Sequence, residues 1–269
     1  MAFSRAENRP IAVTGADSMD STGHDKSSGR QPCVAITGAS GSLGQALLRR
    51  WHDRGARLIA LSCGPRNLEL HDGTGQPIPL RDATWCVGQE QELTSLLAEV
   101  DVLVLNHGVN VYGERSAAAT ERSLEVNALS SWRLLELFAR VVEERPVDPQ
   151  RPRPEVWMNT SEAEIQPALS PLYEISKRLA GQLLSLRALD LADNPQGPRL
   201  RIRRLVLGPF RSALNPVGVM GADFVARQVL AQARLGCNLI IVTPNPLTYV
   251  LMPLATLGRW LYFKALTRA

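Results

Sequence analysis

The sequence is poor in the residues that build metal and disulfide sites. It holds four cysteines and four histidines in 269 residues. Cys33, Cys63, Cys86 and Cys237 form no C-x-x-C pair. His24, His52, His71 and His107 are too scattered for a di-iron site. No metal is therefore expected, and no disulfide framework. Three of the four cysteines fall in apolar runs that read as strands, where a reduced thiol behaves as a small hydrophobe. That usage suits a reducing compartment, and a cytoplasmic location is expected. No run of 18 apolar residues occurs, so no transmembrane helix is predicted. The N-terminus lacks the apolar core of a signal peptide, and residues 1–30 read as a disordered polar tail. The formal charge of +4 is spread out, densest at Arg199, Arg201, Arg203 and Arg204. No basic stripe with interleaved aromatics is present, which argues against nucleic acid as a partner.

What is present is an alternation. Short apolar runs at 33–36, 57–61, 84–87, 102–105, 156–158, 200–207 and 238–242 read as strands. Segments with helical spacing lie between them, at 43–54, 90–99, 117–144, 171–191 and 222–235. Near-continuous apolar strands are buried on both faces, as in parallel sheets. The predicted fold is α/β: a doubly wound parallel sheet of about seven strands between two helix layers, over residues 31–246. Residues 247–269 form an apolar extension with Tyr249, Trp260, Tyr262 and Phe263. It reads either as packing on the chain's own core or a second subunit, or as a membrane-surface segment.

The first strand runs into Thr37-Gly38-Ala39-Ser40-Gly41-Ser42-Leu43-Gly44, with a helix after it. Glycines there allow a tight turn, close backbone approach to a pyrophosphate and close helix–strand packing. The helix N-terminus favours the negative charge. Gly38, Ser40, Gly41, Ser42, Leu43 and Gly44 are thus candidate dinucleotide ligands. The second strand ends at Ser62 without the acid that would bind the ribose hydroxyls of NAD. Arg66 follows, and a hydroxyl with a guanidinium suits the 2′-phosphate of NADP, so NADP(H) is preferred over NAD(H).

Tyr173 and Lys177 stand four residues apart in a predicted helix and share one face. A nearby ammonium favours the phenolate, so Tyr173 is expected to titrate below its ordinary value and to serve as a general acid/base. Asn159-Thr160-Ser161 follows a strand, where a hydroxyl faces the ligand crevice of such sheets. Ser161, or Thr160 in its place, would hold a substrate oxygen.

Taken in order, these motifs resemble the short-chain dehydrogenase/reductase superfamily over residues 33–242, a Rossmann-like fold. The glycine turn, Asn106-His107-Gly108, Asn127, Asn159-Thr160-Ser161 and the Tyr173/Lys177 pair carry the likeness. The resemblance implies an NAD(P)-dependent oxidoreductase acting on a carbonyl or alcohol, commonly a homo-oligomer. Tyr173 would exchange the proton, Lys177 would bind the nicotinamide ribose, Ser161 would position the substrate and Asn127 would hold a water. Asn106, Gly108, Gly208 and Phe210 would line the cofactor. The glycine spacing is that of the family's extended branch, whereas the chain length suits the standard one. Segments 106–116, 159–177, 207–220 and 242–253 are similar to proteins labelled sterol desaturase/short-chain dehydrogenase. In some of those a membrane hydroxylase-like domain precedes the reductase, and the present sequence is expected to hold the reductase part. A lipid-like substrate and peripheral membrane contact through 247–269 are consistent with that likeness. A non-catalytic dinucleotide sensor and a membrane partner of a lipid-modifying enzyme remain alternatives on the same fold.

Overall fold

The computed structural model describes residues 30–64, 67–192 and 199–266. The tail read over 1–30 lies outside them except for Arg30, and so does Arg66.

Seven strands form one parallel sheet. They are β1 (Cys33–Thr37), β2 (Arg57–Ser62), β3 (Arg81–Thr84), β4 (Val102–Leu105), β5 (Glu155–Ser161), β6 (Arg201–Leu207) and β7 (Leu239–Val242). Their order is β3-β2-β1-β4-β5-β6-β7. All six pairings are parallel, with Ala35 opposite Ile59 on one side and Leu103 on the other. Successive side chains of a strand alternate faces. Cys33 and Ala35 therefore pack with Leu134, Phe138 and Leu184 on one side. Val34 and Ile36 pack with Leu47, Leu48 and Val229 on the other. Both faces are covered, as the continuous apolar runs required.

The helices are α1 (Ser42–His52), the one-turn α2 (Thr94–Leu97), α3 (Ala117–Leu124), α4 (Ser130–Glu144), α5 (Pro171–Ala192), α6 (Ala222–Arg234) and α7 (Thr248–Leu266). Two expectations need correction. The helix predicted over 117–144 is broken by a π turn at Glu125–Leu129. The third strand lies at Arg81–Thr84, not 84–87, and three of its four residues are exposed. An exposed edge strand has no apolar run to betray it. Cys86 consequently falls beyond the strand and is exposed, as is Cys63 after β2. Only Cys33 is the buried thiol that the apolar runs suggested for three.

The arginine cluster serves the interior. Arg199 donates to the carbonyl of Arg145, 2.6 Å away, and Arg201 and Arg203 bind Glu155. Arg204 reaches Glu164, whose side chain is fully buried, at 3.5 Å. Arg259 of α7 meets the same carboxylate at 3.5 Å and donates to the Gly181 carbonyl at 3.2 Å. This three-charge cluster joins the segment after β5, β6 and the C-terminal helix. A Cβ at Gly181 would run into the Glu164 carboxylate, so glycine there lets α5 pass without displacing that side chain.

Candidate active site

The strand order changes direction beside β1, where β4 lies on the opposite side from β2. Ligands of open α/β sheets bind at such a point, beyond the carboxyl ends of the strands. Three strand ends meet there. β1 ends in Thr37 and Gly38, β4 runs into Asn106-His107-Gly108, and β5 ends in Ser161.

Gly38 has φ of +61°, which glycine adopts without strain. A Cβ there would lie 2.9 Å from the His107 Cα. At Gly44 it would lie 2.5 Å from the Gly38 carbonyl oxygen and 2.8 Å from the Ala39 Cα. These two glycines bring α1 tight against the turn, with Leu43 buried beneath it. Gly41 and Ser42 are exposed, and no side chain caps the start of α1. Its first amides are therefore available to an anion. The Ser40 carbonyl is held by Gln45 Nε2 at 2.9 Å. Ser42 Oγ donates to the Arg211 carbonyl at 3.3 Å, tying the turn to the segment after β6.

A polar ladder crosses the strand ends. Asn106 Nδ2 donates to the Gly38 carbonyl at 3.3 Å, and Asn159 Nδ2 donates to Asn106 Oδ1 at 3.0 Å. Lys177 Nζ donates to the Asn159 carbonyl at 3.0 Å. The glycine turn and the buried lysine are thus joined through β4 and β5. Lys177 has its pKa pushed down to about 8 by burial, with Glu164 acting in the opposite direction. An ammonium has three protons to give, and one goes to Asn159.

Ser161 Oγ accepts the Ala163 amide at 3.2 Å, which leaves its own proton to donate. The Ser161 hydroxyl also favours the Tyr173 phenolate and draws that pKa down. The neighbouring Thr160 hydroxyl donates instead to the Leu205 carbonyl at 3.2 Å. Tyr173 departs from expectation. Its pKa is raised, first by burial and then by Glu162, against the effect of Ser161. The Lys177 ammonium sits 5.7 Å from the phenol ring and is turned to Asn159. Burial of the phenol sets the direction of the shift.

Asn127 lies in the π turn and is buried. Its Oδ1 accepts the Val109 amide at 2.7 Å, and its Nδ2 donates to the Val109 carbonyl at 2.9 Å and Ser176 Oγ at 3.0 Å. Both amide protons are used, so the side chain clamps the loop after β4 onto α5. A Cβ at Gly108 would stand 3.1 Å from this Oδ1. Gly208 approaches Thr243 closely, where a Cβ would be 2.3 Å from Oγ1. Phe210 pairs with Met220 in an isolated bridge and packs against the core on the α1/α6 side. Ser62 is buried at the end of β2 and donates to the Gly64 carbonyl at 3.4 Å.

His107, between Asn106 and Gly108, has no role assigned from the sequence. Its Nδ1 lies 2.7 Å from Thr37 Oγ1 and its Nε2 2.7 Å from Ser130 Oγ, bracing β1 against α4. Ser130 Oγ also donates to the Val126 carbonyl and Thr37 Oγ1 to the Val104 carbonyl, which fixes both hydroxyls around the ring. Burial and the Lys177 charge push the His107 pKa down to about 3, leaving the ring neutral. An unfolded histidine takes up its proton near 6.5. The unfolded state therefore gains protons that the fold refuses, and stability should fall as pH drops from about 6.5 toward 3. Urea melts of the native chain and His107→Gln should show a slope against pH shallower by about one proton in the variant. Equal slopes would mean that His107 titrates freely in the fold.

These residues fit a dinucleotide: an uncapped helix start, two glycines whose Cβ atoms would strike the backbone, and a ladder leading to a buried ammonium. Fold and crevice thus define a Rossmann-type sheet with an open turn suited to a dinucleotide. The family model described as the NAD dependent epimerase/dehydratase family matches residues 34–148. The monoglucosyldiacylglycerol epimerase of Synechocystis sp. is 47% identical over 237 residues. The match covers 87% of the present chain and 55% of that relative, so the chain spans about half the relative's length. A short-chain dehydrogenase from Burkholderia cenocepacia, solved with NADP, superposes with a TM-score of 0.66 at 17% identity, covering 89% of this chain and 99% of its own. One from Sphingobium yanoikuyae, solved with NADPH, gives 0.65 at 18% identity, covering 88% and 96%. Over the matched residues the chain is similar to proteins of the NAD(P)-dependent epimerase/dehydratase type, and it shares the Rossmann fold of these solved structures.

Proposed function

We propose that this enzyme inverts a carbinol centre in the sugar headgroup of a glycosyl lipid, with no net oxidation or reduction. The ladder from Gly38 through Asn106 and Asn159 to Lys177 carries the chemical part of the reading, because it couples the dinucleotide turn to the proton-handling side chains. The substrate class rests on the 47% identity to a glycolipid epimerase. A bound nicotinamide dinucleotide supplies the two-electron acceptor and donor at the carbinol carbon. The chain's own residues manage the oxygen and its proton. Ser161 donates to the substrate oxygen while its lone pair stays on Ala163. Tyr173 takes the hydroxyl proton and returns it once the sugar has turned its other face. Lys177, charged below about pH 8, stabilises the phenolate. Asn127 and His107 act as positioning residues, through Val109 and through Thr37. NADP(H) is preferred, on the absence of an acid at the end of β2.

The test is to supply monoglucosyldiacylglycerol in mixed micelles with each dinucleotide, following the headgroup by NMR and the reduced cofactor at its absorption band. The expected result is an isomeric headgroup, with reduced cofactor never exceeding the enzyme. Stoichiometric cofactor turnover, with this lipid or with simple aldehydes and ketones, would make the protein a net dehydrogenase. No change in either signal would favour a dinucleotide sensor.

A further inference from the structure

The C-terminal helix is built inside out. α7 meets the rest of the protein along a narrow stripe: Thr248 and Met252 are fully buried, and Arg259 reaches Glu164. Gln166 Nε2 donates to Thr248 Oγ1 at 2.7 Å, which ties the helix start to the segment that follows Ser161. The remaining surface is mostly apolar and exposed. Val250, Leu254, Leu257, Leu261 and Tyr262 are each more than half accessible, and Trp260 is 40% accessible. Lys264 Nζ lies 4.8 Å from the Trp260 ring centre. No helix among the described residues is long and apolar enough to cross a membrane.

This face continues to the mouth of the crevice. Leu169, almost wholly exposed, sits between Gln166 and Ser170. Ser170 Oγ donates to the Tyr112 carbonyl at 2.7 Å, and Tyr112 Oη donates to the Ala213 carbonyl at 3.3 Å. That segment carries Val217 and Val219, at 78% and 69% accessible. Hydrogen bonds therefore link three apolar rims around the substrate side of β5 and β6. Their charge has one sign. Residues 165–173, 208–221 and 243–269 contain no aspartate or glutamate, while Arg211 and Lys264 lie within them and Arg259 is turned inward to Glu164.

We propose that α7 and these rims seat the enzyme on an anionic lipid bilayer, with the crevice mouth against the headgroups. Aromatics at mid-depth, leucines below them and bases without acids are the chemistry of a helix lying in a bilayer interface. The choice of a lipid surface over a second copy of the chain rests on the glycolipid reading above. A substrate whose acyl chains stay in the membrane must be met at that plane.

The experiment is flotation of the full chain with phosphatidylcholine vesicles, with and without phosphatidylglycerol. The protein should float with the anionic vesicles and be released by salt. Leu254→Glu combined with Leu261→Glu should lower the bound fraction at least about tenfold. The melting temperature and conversion of micellar substrate should stay unchanged in that variant. Wild-type protein that stays unbound, or binds both vesicles equally, overturns the proposal. So does a two-copy particle in light scattering that the double variant splits without any vesicle binding. Flotation without conversion of the glucosyl lipid would sink the proposed reaction and leave docking intact. Conversion in micelles without flotation would do the reverse.

Discussion

The Tyr173→Phe enzyme is expected to lose turnover by a factor of about 10² to 10⁴, the usual contribution of a positioned acid/base. Its affinity for dinucleotide should be nearly unchanged, because the glycine turn and the Lys177 ladder do not use the phenol oxygen. The phenol stands in a buried place that raises its pKa, with only the Ser161 hydroxyl opposing. The resting group is therefore a neutral acid, able to give a proton and needing help to take one. Ser161→Ala should remove part of that help and push the pH profile of turnover upward. Turnover at the native level in Tyr173→Phe would move the chemistry to another group.

Glu164→Gln should be the most damaging change outside the crevice. It keeps the side-chain shape and removes the one carboxylate among the described residues that pairs with Arg204 and Arg259, both nearly buried. Breaking a buried pair by deleting one partner costs about 3–5 kcal/mol, because the other charge stays buried without compensation. For a domain of this size that is a fall in Tm of roughly 6–20 °C. Glu164 also raises the pKa of Lys177, which burial alone would hold lower. Activity carried by the Lys177 ammonium is lost as pH rises through its pKa near 8. In Glu164→Gln that loss should therefore move to lower pH. An unchanged Tm would show that the 3.5 Å contacts carry no charge coupling.

The parts of this molecule written in local pattern were legible. β1, β4 and the start of α5 announce themselves through continuous apolar runs and a proline at the first helical turn. Tyr173 and Lys177 follow from helical spacing, and the glycine turn from its place between strand and helix. What escaped was set by tertiary context. The π turn that places Asn127 adds one residue to a helical turn, which the hydrophobic period of 117–144 does not register. β3 is an exposed edge with no apolar signature. The sequence has no local signal for the pairing of Glu164 with Arg204 and Arg259, since only the fold brings residues 164, 204 and 259 together. The phenol's raised pKa could not be foreseen either. Spacing puts the ammonium on the right face, but burial depth decides the sign.

The proposed chemistry depends first on a dinucleotide seated at the glycine turn. Titrating the chain with NADPH and NADH, each followed by calorimetry, measures this directly. One site per chain is expected, tighter for NADPH, and it should be lost in Gly44→Ala, whose Cβ would stand 2.5 Å from the Gly38 carbonyl oxygen. A folded native chain that binds neither dinucleotide would contradict the account.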